Sequence, residues 1–166
     1  VIYGSSNMLV YSTGDEVHGF TLDPAIGEFF LSHPHIRIPE SGNTYSVNEG
    51  NYHKWAPGVR NWVDWVKSSD GDHKAYGQRY IGAMVADLHR TLLKGGIFAY
   101  PGDSKNANGK LRLLYEASPL SFVVEAAGAA AADGKRRILD IEPTKLHQRT
   151  PLFIGSKKDV EDACRF

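Results

Sequence analysis

Cysteine is nearly absent: Cys164 is the single one among 166 residues. An intrachain disulfide is excluded, which fits a reducing compartment. Cys164 has no CxxC partner, so no redox role is expected of it. Net charge is absent too, with 19 Lys plus Arg against 19 Asp plus Glu. That balance gives no support for a nucleic-acid or anionic-membrane partner. No apolar run approaches a bilayer span. The opening residues Val1–Ser6 carry no basic-then-apolar leader and no initiator Met, and they read as strand and turn. The chain is expected to be a processed protein or a piece that starts inside a larger one. Its length suits one domain with a real core.

Positive charge is present locally, at Arg79, Arg90 and Lys94 and again at Lys105, Lys110 and Arg112. The stretch Gly109-Lys110-Leu111-Arg112-Leu113-Leu114-Tyr115-Glu116 joins a Gly turn, two cations, an apolar run and one carboxylate. Read as a strand, it puts Lys110, Arg112 and Glu116 on one face. Two cations suit phosphoryl oxygens and a carboxylate suits a hard metal ion. Only one carboxylate is there, whereas metal-assisted phosphoryl transfer normally needs several acidic ligands.

Helices and strands alternate along the chain, which predicts an α/β fold. Val17–Leu22 and Glu28–Leu31 read as a hairpin around Asp23-Pro24-Ala25-Ile26-Gly27. Val1–Tyr11 begins with a short helix or strand, and residues 33–43 form a loop. Thr44–Val47 and Ile97–Tyr100 are β-prone. Val59–Val66 and Ile81–Leu93 repeat apolar residues at helical spacing. Lys67–Lys74 and Pro101–Gly109 are loops. Lys110–Leu114 is expected to be a strand and Phe122–Ala132 an Ala-rich helix. Ile138–Ile141 and Leu152–Ile154 are expected strands, and Ser156 caps a last helix through Cys164. The seven His are scattered without a zinc-site spacing, and His33 and His35 read as exposed loop residues.

An ordered set of segments carries a resemblance. These are Asp23–Phe29, Tyr45-Ser46-Val47-Asn48-Glu49-Gly50-Asn51, Arg79–Leu92, Gly95–Pro101, Gly109–Glu116 and Pro143–Arg149. Together they resemble the C-terminal half of a class I fructose-1,6-bisphosphatase, over essentially the whole chain. The resemblance implies a mixed β-sheet flanked by helices, and residues 1–166 as one C-terminal sugar-phosphate-binding domain. The N-terminal half, with most of the metal carboxylates, is missing from it.

The same resemblance implies that Asn48, Arg79, Tyr80, Tyr100 and Lys110 surround the substrate's 6-phosphate. The donor chemistry agrees: a guanidinium fork, a point charge, two phenols and an amide. On the residues alone, Arg79 and Lys110 also read as surface cations, Tyr80 and Tyr100 as core-edge residues, and Asn48 as a turn residue. Met84 resembles a residue lying against the sugar, and reads equally as part of an apolar helix stripe. Where many members have Tyr after Asn-Glu-Gly, this chain has Asn51, with Tyr52 next as a substitute donor. Glu116 resembles a metal ligand near the transferred phosphate, with a structural salt bridge as the alternative. Arg112 is placed beside it at the 1-phosphate. Glu49 and Asp87 are left without a role.

The resemblance thus implies a parent that hydrolyses fructose 1,6-bisphosphate to fructose 6-phosphate with Mg2+. The isolated chain is expected to be inactive, because Glu116 is its one metal carboxylate. It also implies a homo-oligomer, dimer or tetramer, in which Arg79 reaches a neighbour's site, and a cytoplasmic or plastid location. The alternatives are a catalytically silent sugar-phosphate-binding or assembly domain, or a phosphatase for sedoheptulose 1,7-bisphosphate.

Overall fold

The computed structural model describes residues 1–71 and 73–166. Its first sheet is an antiparallel meander of β1 (Met8–Ser12), β2 (Val17–Asp23) and β3 (Glu28–His33). The expected turn closes it. The Asp23 carboxylate accepts from Ala25 N at 2.8 Å, and Gly27 takes φ 75°, which glycine adopts without a Cβ penalty.

The second sheet is mixed. It contains β4 (Thr44–Ser46), β5 (Gly77–Gln78), β6 (Ile97–Tyr100), β8 (Ala130–Ala132) and β10 (Leu152–Gly155), in the order β5-β4-β6-β10-β8. β4 runs parallel to both β5 and β6, and β10 runs antiparallel to β6 and β8. A two-residue pair, β7 (Leu111–Arg112) with β9 (Arg149–Thr150), lies outside it.

Alternation along the strands builds two cores, because successive side chains point to opposite faces. Ile97, Ala99 and Phe153 join Trp62, Val63 and Val66 of α1 (Pro57–Lys67) and Val160 of α4 (Lys157–Ala163). Phe98, Leu152 and Ile154 join Leu88 and Leu92 of α2 (Met84–Lys94) and Val124 of α3 (Ser118–Ala126). The result is helix–sheet–helix layering, an α/β fold. Val17 and Ile36 reach the second core, tying the meander to it.

Several expectations are corrected. Lys110–Leu114 is not a strand: pairing stops at Arg112, and Leu113–Ala117 winds as a π-helix running into α3. The Ala-rich helix ends at Ala126, because Gly128 turns the chain at φ 87°. Ala130–Ala132 then pairs with β10, so sheet closure overrides alanine's helix propensity. Ile138–Asp140 is a 3-10 turn rather than a strand, with Ile138 plugged into the core. Helix α2 starts at Met84, three residues late, leaving Ile81 outside it and 65% exposed. Ser156 does not cap α4 through its side chain; its Oγ instead accepts from Gly96 N at 3.1 Å. The short strands β5 and β9 have too few residues to show a pattern.

Candidate functional site

Parallel pairing decides where the site lies. The strands β4, β5 and β6 all end at one edge of the mixed sheet, the edge where α/β folds usually hold ligands. Asn48 follows β4, Arg79 and Tyr80 follow β5, and Tyr100 ends β6. Because β10 is antiparallel, its start lies at the same edge, with Leu152 opposite Tyr100. Thr150 just before it pairs with Leu111, which brings Lys110 alongside. Gly109 makes this approach possible: it has φ 71°, and a Cβ there would run into the Thr150 backbone. Residues separated by sixty positions in sequence are thus gathered by strand order alone.

Asn48, Asn51 and Tyr100 line one narrow recess, together with Trp55 and Asp103. Asn48 Oδ1 accepts from Gly50 N at 3.1 Å, which caps the 3-10 turn Glu49–Lys54 and leaves its NH2 as the donor end. Asn51 Oδ1 accepts from Lys54 Nζ at 2.9 Å. Tyr52 is turned elsewhere: its hydroxyl donates to Asp64 of α1 at 2.6 Å, and Lys67 sits 5.5 Å over its ring. Glu49 fastens the same turn, accepting from the Tyr45 hydroxyl at 2.6 Å and from Lys67 Nζ at 2.9 Å.

Tyr80, Met84, Tyr100 and Leu111 pack as half-buried neighbours against one core. Burial raises the Tyr80 phenol above its ordinary value, and the nearby Tyr100 and Asp87 add to this. Tyr80 therefore stays a neutral O–H donor across physiological pH. Asp103 has its carboxyl held below the usual range by the Asn106 amide, by turn N–H groups and by the field of Lys110. Arg79 is exposed. Its backbone is stitched to β4, with Arg79 N donating to Tyr45 O at 2.9 Å and Arg79 O accepting from the Ser46 hydroxyl.

Glu116 and Arg112 meet by a route that the sequence did not show. The wide π turn folds the Glu116 carboxylate back onto Arg112. Oε2 accepts from Arg112 N at 2.8 Å, and Oε1 lies 2.7 Å from the guanidinium. Arg112 Nε is closed off from solvent without a partner among the described residues. One carboxylate with both oxygens engaged does not make a magnesium site by itself.

The described residues do contain one trio of clustered donors, Glu16, His18 and His35. The strand and loop bring together histidines that are seventeen positions apart. The trio is closed by its own hydrogen bonds. Glu16 contacts His35 Nδ1 at 2.9 Å and His18 Nε2 at 3.3 Å, and His35 N donates to His18 Nδ1. That last bond leaves Nε2 as the protonated nitrogen facing Glu16. A wider groove of about 1230 Å³ shares the wall Trp55, Pro101 and Asp103 with the recess, and none of the expected site residues lines it.

Asp87 is the residue that sequence reasoning missed. It is fully buried, and its carboxylate accepts from Ile81 N at 3.1 Å and from Gly82 N at 3.2 Å. Its sequence signal was an acidic residue in the first turn of a helix, following a glycine.

A layered α/β domain, with cationic and phenolic side chains following its parallel strands at one edge of the mixed sheet, is the class that the fold defines. The chain belongs to the fructose-1,6-bisphosphatase family, since the family pattern "Fructose-1-6-bisphosphatase, C-terminal domain" matches residues 38–166. It is 59% identical to the class 1 fructose-1,6-bisphosphatase of Sorangium cellulosum and 57% identical to that of Chloroherpeton thalassium. Each match covers 100% of this chain and 48% of the relative, so the chain spans about half the length of these curated relatives. The holo form of Leishmania major fructose-1,6-bisphosphatase superposes with a TM-score of 0.94 at 52% identity. That match covers 98% of this chain and 49% of the other. The chain is therefore the C-terminal part of such a protein. The family pattern begins at residue 38, just beyond the β1–β3 meander.

Proposed function

We propose that the full-length parent hydrolyses fructose 1,6-bisphosphate to fructose 6-phosphate and phosphate, and that this chain supplies its grip on the 6-phosphate. The observation that carries the reading is the convergence of Asn48, Tyr80, Tyr100 and Lys110 on one sheet edge, in a family whose members bear the activity in their names. Lys110 supplies charge, the two phenols and the Asn48 amide supply neutral donors, and Met84 packs against the sugar. Asn51 is a wall of the recess, and Tyr52 contributes only by leaving Asp64. Arg79, exposed beside Tyr80, is suited to reach the site of a neighbouring copy in a homo-oligomer. Holding the remote phosphate converts its binding energy into position at the reacting end.

At that end Glu116 contributes this chain's one carboxylate to a divalent-metal centre, with magnesium the expected ion. Its remaining donors come from the part of the parent outside these residues. Arg112 holds the Glu116 carboxylate in place, and the exposed part of its guanidinium is the donor proposed for the 1-phosphate. The proposed sugar-phosphate-binding domain spans residues 1–166, of which the family pattern matches 38–166. The location follows the family expectation of a cytoplasmic enzyme; no helix among the described residues is long and apolar enough to cross a membrane.

Calorimetric titration of the chain with fructose 6-phosphate and with fructose tests the grip. The expected result is binding of the phosphorylated sugar only, abolished by Lys110→Ala. Equal binding of both sugars, or indifference to the substitution, would remove the basis of the reading.

A further inference from the structure

The segment 76–83 carries Arg79 and Tyr80 into the site, yet it is almost entirely exposed and its strand β5 is two residues long. Short strands at a sheet edge gain little from the ladder and are expected to move. Here both ends are tied to buried carboxylates. At the entry, the Tyr76 hydroxyl donates to Asp159 at 2.9 Å, and the other Asp159 oxygen accepts from Gly42 N at 2.8 Å. At the exit, Asp87 takes Ile81 N and Gly82 N, with Gly82 held at φ 86°. Asp87 is 0% exposed, and no cation is paired with it among the described residues. A buried carboxylate answered only by backbone N–H groups is costly unless their geometry is fixed, so it constrains that geometry strongly. It sits in the first turn of α2, one turn from Met84, and holds the N–H of Ile81, the residue that follows Tyr80. One side chain therefore couples the backbone that follows Tyr80 to the helix that begins at Met84.

We infer that Asp87 is a positioning residue for 6-phosphate recognition: by folding the 81–82 backbone onto the start of α2, it fixes Tyr80 and Arg79 on one side and Met84 on the other. The inference rests on the function proposed above. Asp87 touches no substrate and acts through the segment that does.

The test uses the full-length parent with two substrates, fructose 1,6-bisphosphate and fructose 1-phosphate, which lacks the group being gripped. Asp87→Asn keeps the shape but removes the charge and one acceptor oxygen. It is expected to raise KM for the bisphosphate about tenfold with kcat within about twofold. Turnover of fructose 1-phosphate, which keeps the sugar contact with Met84 but lacks the 6-phosphate, should fall by at most about twofold, so the preference for the bisphosphate shrinks severalfold. Gly82→Ala disturbs the same loop without opening the core, because its Cβ meets nothing closer than Tyr80 Cε1 at 3.7 Å while φ 86° becomes strained. It should shift the preference in the same direction, and it carries the test if the Asn variant does not fold. An unchanged substrate preference in the folded variants, or an equal loss on both substrates, overturns the inference. A wild-type parent that does not prefer the bisphosphate overturns instead the function on which the inference rests.

Discussion

At the residue scale, the proposed site is a set of donors gathered by the ends of the strands, and Tyr80 is the one whose burial raises its phenol above the ordinary value. Burial holds Tyr80 neutral, and the field of Lys110 reaches Asp103 in the recess wall. A hydrogen bond to a charged group contributes about 1.5–3 kcal/mol, so Lys110→Ala in the parent should raise KM for fructose 1,6-bisphosphate roughly ten- to hundredfold. Steady-state kinetics checks this, and an unchanged KM would exclude Lys110 from the grip. Acid stability also has a residue-level cause. Burial opposes the charge of Asp133, but N–H groups of Arg136 and Lys135 and the Arg136 side chain outweigh it and hold the carboxyl low. A carboxyl lowered in the folded state contributes stability above its unfolded value and loses it as pH falls through the folded one. Urea midpoints should therefore fall from neutral pH toward pH of about 3, and Asp133→Asn should flatten part of that fall.

At the element scale, the π-helix Leu113–Ala117 matters most. Its extra residue per turn brings Glu116 back over Arg112, within 2.7 Å. Deleting exposed Leu114 would convert the turn to ordinary α winding and swing Glu116 by about 100°. The parent's kcat should then fall at least tenfold while its melting temperature changes little, a contrast that calorimetry and kinetics together measure. This element marks the limit of what the sequence could tell. Alternation along 110–116 read as a strand face, and it did bring Arg112 and Glu116 together, but by the wrong geometry. A π turn has no periodic signature, since only tertiary packing selects it. The hairpin 17–33, helix α1 and strand β6 were legible because their apolar period is long or their turn residues are explicit. The Ala run at 129–132 was not, because Ala is silent about sheet pairing. The residues proposed for the grip stand in the ordered motifs that carry the family resemblance. Tyr52's turn toward Asp64 and the part played by Asp87 depend on contacts between distant segments.

At the scale of the whole molecule, two cores hold a mixed sheet between helices, while the meander stands partly apart. Phe29, Phe30 and Leu31 of β3 are all more than 40% exposed, so apolar side chains face solvent on both sides of one strand. Exposed apolar surface of this kind drives association. The isolated chain should therefore self-associate in a sedimentation-velocity concentration series, and Leu31→Lys should weaken that association. A strictly monomeric wild type would contradict this. The central claim is that the chain holds the specificity of a fructose-1,6-bisphosphatase and one metal carboxylate, Glu116, but not a full catalytic set. Its most direct test is phosphate release from fructose 1,6-bisphosphate with magnesium, for the 166-residue chain and the full-length parent at matched concentration. The account predicts turnover by the parent alone, and turnover by the chain alone would contradict it.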